Sequence, residues 1–261
     1  MMHLYTMTKG MKGIMVKNFA HRGYSSKYPE NTLLAFRKAM ETEGCDGIEN
    51  DVHLTKDGEV VIIHDELLNR TCVNGTGLVR DYTLDELRRF DMSFRFAGKC
   101  EPQRIPTLRE YFELIKDSKL VTNIELKTGI FEYEGIEKKV WDLIQEFEMK
   151  DRIIISSFNH YSVMRMKRLC PDIKCGLLTE TWLYNAGHYT KELGIECLHP
   201  VFYNMTENIV AEVKGQGIEI NTWTVNEEKD IRTMMLRGVD TVIGNFPERV
   251  SRIRRELFES H

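Results

Sequence analysis

Short runs rich in Val and Ile alternate with amphipathic stretches along the chain, the pattern of a parallel α/β fold. The first run is Met15-Val16-Lys17-Asn18-Phe19-Ala20-His21. Asn31 or Thr32 then caps a helix that continues through Met40 and stops near Gly44. The second run is Gly47-Ile48-Glu49-Asn50-Asp51-Val52-His53. Further runs fall at 120–127, 152–157, 174–178, 195–199, 218–225 and 239–243, with helical patterns between them. Eight strands in this alternation predict a closed (β/α)8 TIM barrel rather than an open doubly wound sheet.

One stretch breaks the alternation. Thr55-Lys56-Asp57-Gly58 is a tight turn, and Glu59 to His64 reads as another strand. A parallel crossover needs a dozen or more residues, so Val60 to Ile63 is expected to fold back antiparallel on the second strand. Residues 66–106 then supply no β/α unit. They hold a glycine-containing loop, Asn74-Gly75-Thr76-Gly77, and a short helix after Thr83, whose spacing to Glu86 makes a capping box. This segment is read as an insertion over one barrel face, and Thr107 with Glu110 caps the helix that resumes the barrel.

Strand periodicity gives the chemistry. Residues i and i+2 share a face, so Glu49, Asp51 and His53 oppose Ile48, Val52 and Leu54. Asn123, Glu125 and Lys127 oppose Ile124 and Leu126, and Asn221, Trp223 and Val225 oppose Ile220, Thr222 and Thr224. Glu49, Asp51, Glu125 and Lys127 thus point into the barrel near strand C-termini, where barrel active sites lie. Carboxylates so crowded cannot all stay ionised without a cation. An oxygen-only set suits Mg²⁺, Ca²⁺ or Mn²⁺ better than Zn²⁺. A structural ion-pair network around Lys127 is the alternative at this point.

His21-Arg22-Gly23 ends the first strand and His64-Asp65 ends the hairpin strand. Two histidines there could act as general base and acid, Arg22 could fork onto phosphate oxygens, and Gly23 would allow close backbone approach. Either histidine could equally be a hydrogen-bonded rim residue. His53 reads as a supporting or exposed residue, and His199 lies at a strand end. His3, His160, His188 and His261 read as solvated. Trp223 faces the cavity if the register holds, or packs in the core. Met164, Met166, Met234 and Met235 read as helix-packing residues.

Composition narrows the class without changing the picture. The chain has 261 residues, 36 basic and 40 acidic, for a net charge of -4. Its charges form no basic block, which argues against a nucleic-acid partner or an anionic membrane surface. Cysteines at 45, 72, 100, 170, 175 and 197 form no C-x-x-C pair, as expected of reduced, mostly buried thiols in a cytoplasmic protein. Residues 1–14 lack the apolar core of a signal peptide and are expected to be a disordered extension, with residues 15–261 forming one barrel domain. No apolar run approaches the ~20 residues of a membrane span, so stable membrane insertion is not expected.

Taken in order, several stretches resemble the glycerophosphodiester phosphodiesterase family. They are Ala20-His21-Arg22-Gly23, Pro29-Glu30-Asn31-Thr32, Ile48-Glu49-Asn50-Asp51-Val52, Leu54-Thr55-Lys56-Asp57-Gly58, Val61-Ile62-Ile63-His64-Asp65, Asn69-Arg70-Thr71 and Gly75-Thr76-Gly77. Ile105-Pro106-Thr107-Leu108, Asn123-Ile124-Glu125-Leu126-Lys127, Ser156-Ser157-Phe158 and Trp223-Thr224-Val225-Asn226 follow. The resemblance implies a phospholipase C-like phosphodiesterase barrel with an insertion at 66–106. It implies one divalent cation on Glu49, Asp51 and Glu125, His21 and His64 as the catalytic pair, Arg22 and Lys127 near the phosphate, and Trp223 in the pocket. The implied reaction releases an alcohol and sn-glycerol 3-phosphate from a small-molecule diester, a step of glycerol and lipid metabolism. Lysophospholipase D-like or sphingomyelinase D-like action on the same residues is an alternative, as is a non-catalytic binder of glycerol phosphates. Two positions depart from the family pattern. Asn50 stands where an apolar residue is usual, and Gly244-Asn245 replaces the usual Thr-Asp before Phe246-Pro247. These departures are expected to affect strand packing and substrate choice rather than the reaction.

Overall fold

The computed structural model describes residues 15–258, so the N-terminal extension, His3 and His261 lie outside the described residues. Strands β1 (Lys17–His21), β2 (Gly47–Leu54), β3 (Val60–Ile62), β4 (Val121–Leu126), β5 (Ile153–Ser157), β6 (Lys174–Thr179), β7 (Cys197–Pro200), β8 (Glu219–Thr222) and β9 (Thr241–Gly244) form one sheet. All neighbours are parallel except the β2–β3 pair, and β1 pairs with both β2 and β9. The eight parallel strands therefore close on themselves, leaving no open edge. This is the (β/α)8 barrel that the alternation predicts.

The helices, apart from a four-residue one in the segment after β3, form the outer ring. They are α1 (Leu33–Met40), α2 (Leu84–Leu87), α3 (Leu108–Ile115), α4 (Ile136–Glu146), α5 (His160–Leu169), α6 (Ala186–Glu192), α7 (Glu207–Gly215), α8 (Glu228–Arg237) and α9 (Pro247–Phe258). Thr32 caps α1, and its hydroxyl accepts from the Ala35 amide. Thr83–Glu86 and Thr107–Glu110 both form full capping boxes. Between strands and helices lies one continuous apolar layer that includes Ile48, Val52, Ile124, Leu126, Leu177, Ile220 and Val242, with Met166, Met234 and Met235 contributed by the helices.

Inside the barrel, Phe19, Ile154 and Ile243 form a small apolar plug. Phe19 pairs with Gly47 across the ladder. A Cβ on Gly47 would sit 2.5 Å from the Phe19 ring, so glycine here makes room for the ring. Above the plug the lining turns polar, and the carboxylates begin one strand position from Ile48.

Residues between β3 and α3 add no barrel strand; they contain short 3-10 turns and the four-residue helix α2. They have a core of their own, in which Leu68, Val79, Leu87, Met92 and Ile105 pack on Val61 and Ile63. The strand at 218–225 is shorter than its sequence run. It ends at Thr222, and Trp223 makes only a single bridge, to Val201. With the pleat ended, alternation lapses: Val225 joins the outer apolar layer with Ile220 rather than the inward face of Asn221.

Candidate active site

The hairpin decides where the site forms. Strand β4 pairs with β2 from Gly47 to Val52, so it fills one edge of β2. On the other edge β1 pairs only with Gly47 to Glu49, and β3 pairs with Val52 to Leu54. Strand β3 runs back along the edge that β1 leaves free, and the Ile63 amide donates to the Asp51 carbonyl. His64 is thereby delivered beside the end of β1, where His21 stands. The two histidines reach Glu49 and Asp51 from the same edge of β2.

Parallel register sets the carboxylates. Asp51 lies opposite Glu125, and Glu49 lies opposite both His21 and Asn123. One oxygen from each of Glu49, Asp51 and Glu125 falls within 4.8 Å of the others, and all three side chains are buried. Burial and then the neighbouring Asp51 charge push Glu49 well above the usual carboxylate range. Burial likewise pushes Glu125 up, against the pull of Lys127. Burial would raise Asp51 as well, but Arg22, His64 and Lys127 outweigh it and hold it down. Its Oδ2 accepts from Asn31 Nδ2 at 2.8 Å, while its Oδ1 is buried with no hydrogen-bond partner. An orphaned carboxylate oxygen within an all-oxygen triad that resists full ionisation fits a hard divalent cation.

The cations around this triad are engaged. Arg22 NH1 donates to Glu30 Oε1 at 2.8 Å, its Nε lies 3.4 Å from Asp51 Oδ2, and its backbone amide donates to Glu49 at 3.0 Å. The left-handed φ of 55° at Arg22 turns that amide inward. Gly23 follows at φ 75°, and a Cβ there would meet the Ala35 backbone at 2.8 Å. The close approach at Gly23 is thus to α1. Lys127 lies just past the end of β4, with Nζ 2.8 Å from Glu125 Oε1, 4.0 Å from Asp51 Oδ1 and 3.2 Å from His64 Nε2.

Partners fix both imidazoles. A Lys ammonium can only donate, so His64 Nε2 is the acceptor nitrogen and Nδ1–H donates to Asp65 Oδ1 at 2.5 Å. His21 Nδ1 donates to Asn245 Oδ1 at 2.7 Å, which leaves its Nε2 lone pair 3.9 Å from Glu49. Burial, followed by the Arg22 charge, holds the His21 imidazole down to about 3. His21, Arg22, Glu49, His64, Glu125 and Trp223 line one cavity of about 70 Å³. Trp223 stands edge-to-face with Phe158, their centroids 5.5 Å apart, and its Nε1 donates to the His199 carbonyl at 2.8 Å.

Of the two readings the sequence left open for His53, supporting or exposed, the structure takes the first, and several other supporting residues are not singled out by the sequence. His53 is fully buried rather than exposed; its Nε2 donates to the His64 carbonyl at 3.1 Å, and its Nδ1 meets the Tyr133 hydroxyl at 2.9 Å. Arg70 ties the site together by donating to both Asp65 and Glu30. Glu30 is held down to about 2, because Arg70 and Arg22 outweigh the effect of its burial. Glu30 and Arg70 sit inside the family-like stretches, so a signal existed but carried no assigned role, whereas Asp65 orients His64 as its place directly after that residue suggests. Asn245 belongs to a stretch expected to touch only packing and substrate choice, yet it is the direct partner of His21. Asn50 lies on the outer side of the barrel by the alternation of β2 and is fully buried there. His160, expected to be solvated, bonds the Tyr189 hydroxyl and the Leu178 carbonyl. His188 pairs with Glu192 on the surface, and His199 is buried against Asn221 Nδ2.

Comparison with known proteins decides the family. The sequence profile of the glycerophosphoryl diester phosphodiesterase family matches residues 21–249. The chain belongs to that family. It is accordingly an enzyme of phosphodiester hydrolysis. A glycerophosphodiester phosphodiesterase of Caldanaerobacter subterraneus is 44% identical over 237 residues, covering 91% of this chain and 97% of its own length. One from Bacillus altitudinis is 42% identical over 246 residues, covering 93% and 100%. Among solved structures, an Oleispira antarctica phosphodiesterase in complex with the product sn-glycerol-3-phosphate is similar at a TM-score of 0.84 and 28% identity, covering 91% of this chain and 96% of its own.

Proposed function

We propose that this chain hydrolyses glycerophosphodiesters to an alcohol and sn-glycerol 3-phosphate, with Glu49, Asp51 and Glu125 holding one divalent cation, Mg²⁺, Ca²⁺ or Mn²⁺. The observation that carries this reading is the convergence of three buried carboxylates with His21 and His64 in one cavity at the strand C-termini. When bound, the cation supplies Lewis-acid neutralisation of phosphate charge. Lys127 and Arg22 add positive charge on the side facing the carboxylates, where the phosphate would sit. His21 and His64 each present an Nε2 to this cavity. One imidazole takes the proton of the attacking hydroxyl as the new P–O bond forms. The other, which must first take up a proton from solvent at its Nε2, gives it to the alcohol oxygen as the old P–O bond breaks; with water as the attacking group the reaction consumes one water, and the first imidazole returns its proton to solvent. Trp223 and Phe158 supply an apolar wall for the glycerol carbons.

A second reading, lysophospholipase D-like action, has one observation in its favour. Trp182, Tyr184 and Tyr203 are exposed on loops that follow β6 and β7 at the mouth, where they could meet an acyl chain. Among the described residues no helix is long and apolar enough to cross a membrane. All six cysteines are free, which agrees with a cytoplasmic setting. The test is release of choline from glycerophosphocholine, which leaves glycerol 3-phosphate, and from lysophosphatidylcholine, which leaves lysophosphatidic acid, in the presence of each cation. Turnover of the first is expected. Turnover of the second alone would replace the leading reading, and release from neither would overturn both.

A further inference from the structure

A second cavity, of about 330 Å³, lies between the barrel rim and the segment that follows β3. That volume is within the range of small-molecule sites, whereas the reactive cavity of about 70 Å³ is too small for a whole diester. The two cavities share a wall. Asn245 and Glu30 line the larger cavity, and behind them lie their partners His21 and Arg22 in the smaller one. An alcohol leaving the phosphate on the His21 side meets this cleft first.

The cleft has two chemical features. The first is a set of unpaired hydroxyls. Ser26, Thr71 and Ser93 line it, and the side-chain oxygen of each is buried with no hydrogen-bond partner. Ser93 is only 1% exposed. A buried hydroxyl without a partner carries a desolvation penalty. Turning χ1 towards the cleft would pair each with a hydroxyl of the occupant. The second feature is charge. Arg70 is neutralised by Glu30 and Asp65, while Arg95 lines the cleft and has no carboxylate partner among the described residues.

We propose that this cleft binds the alcohol portion of the diester and selects polyhydroxylated alcohols, the chemical class of glycerol and the inositols. This rests on the hydrolytic reading above and names its substrate class. The aromatic rims Phe94 and Phe96 would by themselves also accept a quaternary ammonium, but the charges decide against one. Glu30 is the carboxylate of the cleft, and both its oxygens are taken by Arg22 and Arg70. A trimethylammonium would therefore face Arg95 with no free anion and leave the hydroxyls unpaired. A polyol satisfies the hydroxyls and the guanidinium together, and lays its C–H faces on the rings.

The experiment has two arms. In the first, kcat/KM is measured for glycerophosphoglycerol, glycerophosphoinositol and glycerophosphocholine. The polyol diesters are expected to exceed the choline diester by about tenfold or more, as for a site built to hydrogen-bond substrate hydroxyls. Thr71→Val with Ser93→Ala, and separately Arg95→Ala, should shrink that ratio towards one. In the second arm, free myo-inositol and free choline are titrated calorimetrically into the protein. Inositol binding that is weakened by the same substitutions is expected, with choline binding weaker than inositol. Equal or better use of the choline diester, or inositol binding unaffected by the substitutions, overturns the proposal. If no diester turns over, the hydrolytic reading fails, and the titration still decides whether the cleft recognises polyols.

Discussion

His21 and His64 face one cavity, yet the protein holds them by different means. His21 is fixed by barrel closure. Its Nδ1 partner, Asn245, comes 224 residues later and is a neutral amide. Asn245 is itself held where β9 ends, its amide donating to Asn226 Oδ1 at 2.9 Å. His64 is fixed by local charge. Asp65 takes its Nδ1, Arg70 takes Asp65, and Glu30 takes Arg70. Fully buried His53 holds the His64 carbonyl in addition. A closed barrel can position a side chain through neutral hydrogen bonds, since every strand is braced on both edges. The hairpin arm has a strand on one edge and only the Val61–Thr107 bridge and the Ile62 amide to Pro106 carbonyl hydrogen bond on the other, and ion pairs supply the rest.

The largest expected effect acts on what both arms share. Exhaustive chelation should abolish release of glycerol 3-phosphate, and Mg²⁺, Ca²⁺ or Mn²⁺ should restore it. The added cation should also raise the melting temperature, because binding to the folded state alone stabilises it by about 2.7 kcal/mol at a hundredfold excess over Kd. Full turnover in metal-stripped protein would refute the carboxylate site.

Next come the imidazoles. His21→Ala and His64→Ala should each lower kcat by about 10²–10⁴-fold. The double variant should lose little more, since groups acting as a unit are not additive. Steady-state kinetics on one diester decides this, and losses that multiply would mean the two histidines work independently.

Substitutions behind the histidines sharpen the contrast. Arg70→Met strands Asp65 and Glu30. It should cost about 1–3 kcal/mol in urea unfolding, below the 3–5 kcal/mol for breaking a buried pair, because Arg70 is 35% exposed. Asn245→Ala removes the two neutral hydrogen bonds that its Oδ1 accepts from His21 and Ser25 and should cost about 1–2 kcal/mol, while lowering kcat more than KM. An equal stability loss in the two variants would erase the distinction drawn between the arms.

The last effect is confined to acid. Glu30 falls from its ordinary 4.5 to about 2 in the folded protein, so its contribution is complete above about 4.5 and is lost as pH drops towards 2. The size of that fall corresponds to about 3 kcal/mol. Urea midpoints of wild type and Glu30→Gln should therefore differ at neutral pH and converge in this window. A constant difference down to pH 2 would show that Glu30 does not titrate as its partners require.

The sequence by itself determined the barrel. Eight Val- and Ile-rich runs, the four-residue turn at Thr55–Gly58 that forbids a crossover, and capping residues at Thr32, Thr83 and Thr107 are local signals, readable one element at a time. It also placed Glu49, Asp51 and Glu125 on inward faces, because strand periodicity is fixed by backbone geometry. Only the tertiary structure decided what those side chains meet. Asn245 reaches His21 because β9 closes on β1. Trp223 lines the cavity while Val225 does not, because β8 ends at Thr222 where the pleat stops. His53 is buried because Tyr133 and the His64 carbonyl cover it. Each of these contacts joins residues far apart in the chain or depends on where a strand ends, and neither is encoded in a local pattern of apolar and polar residues.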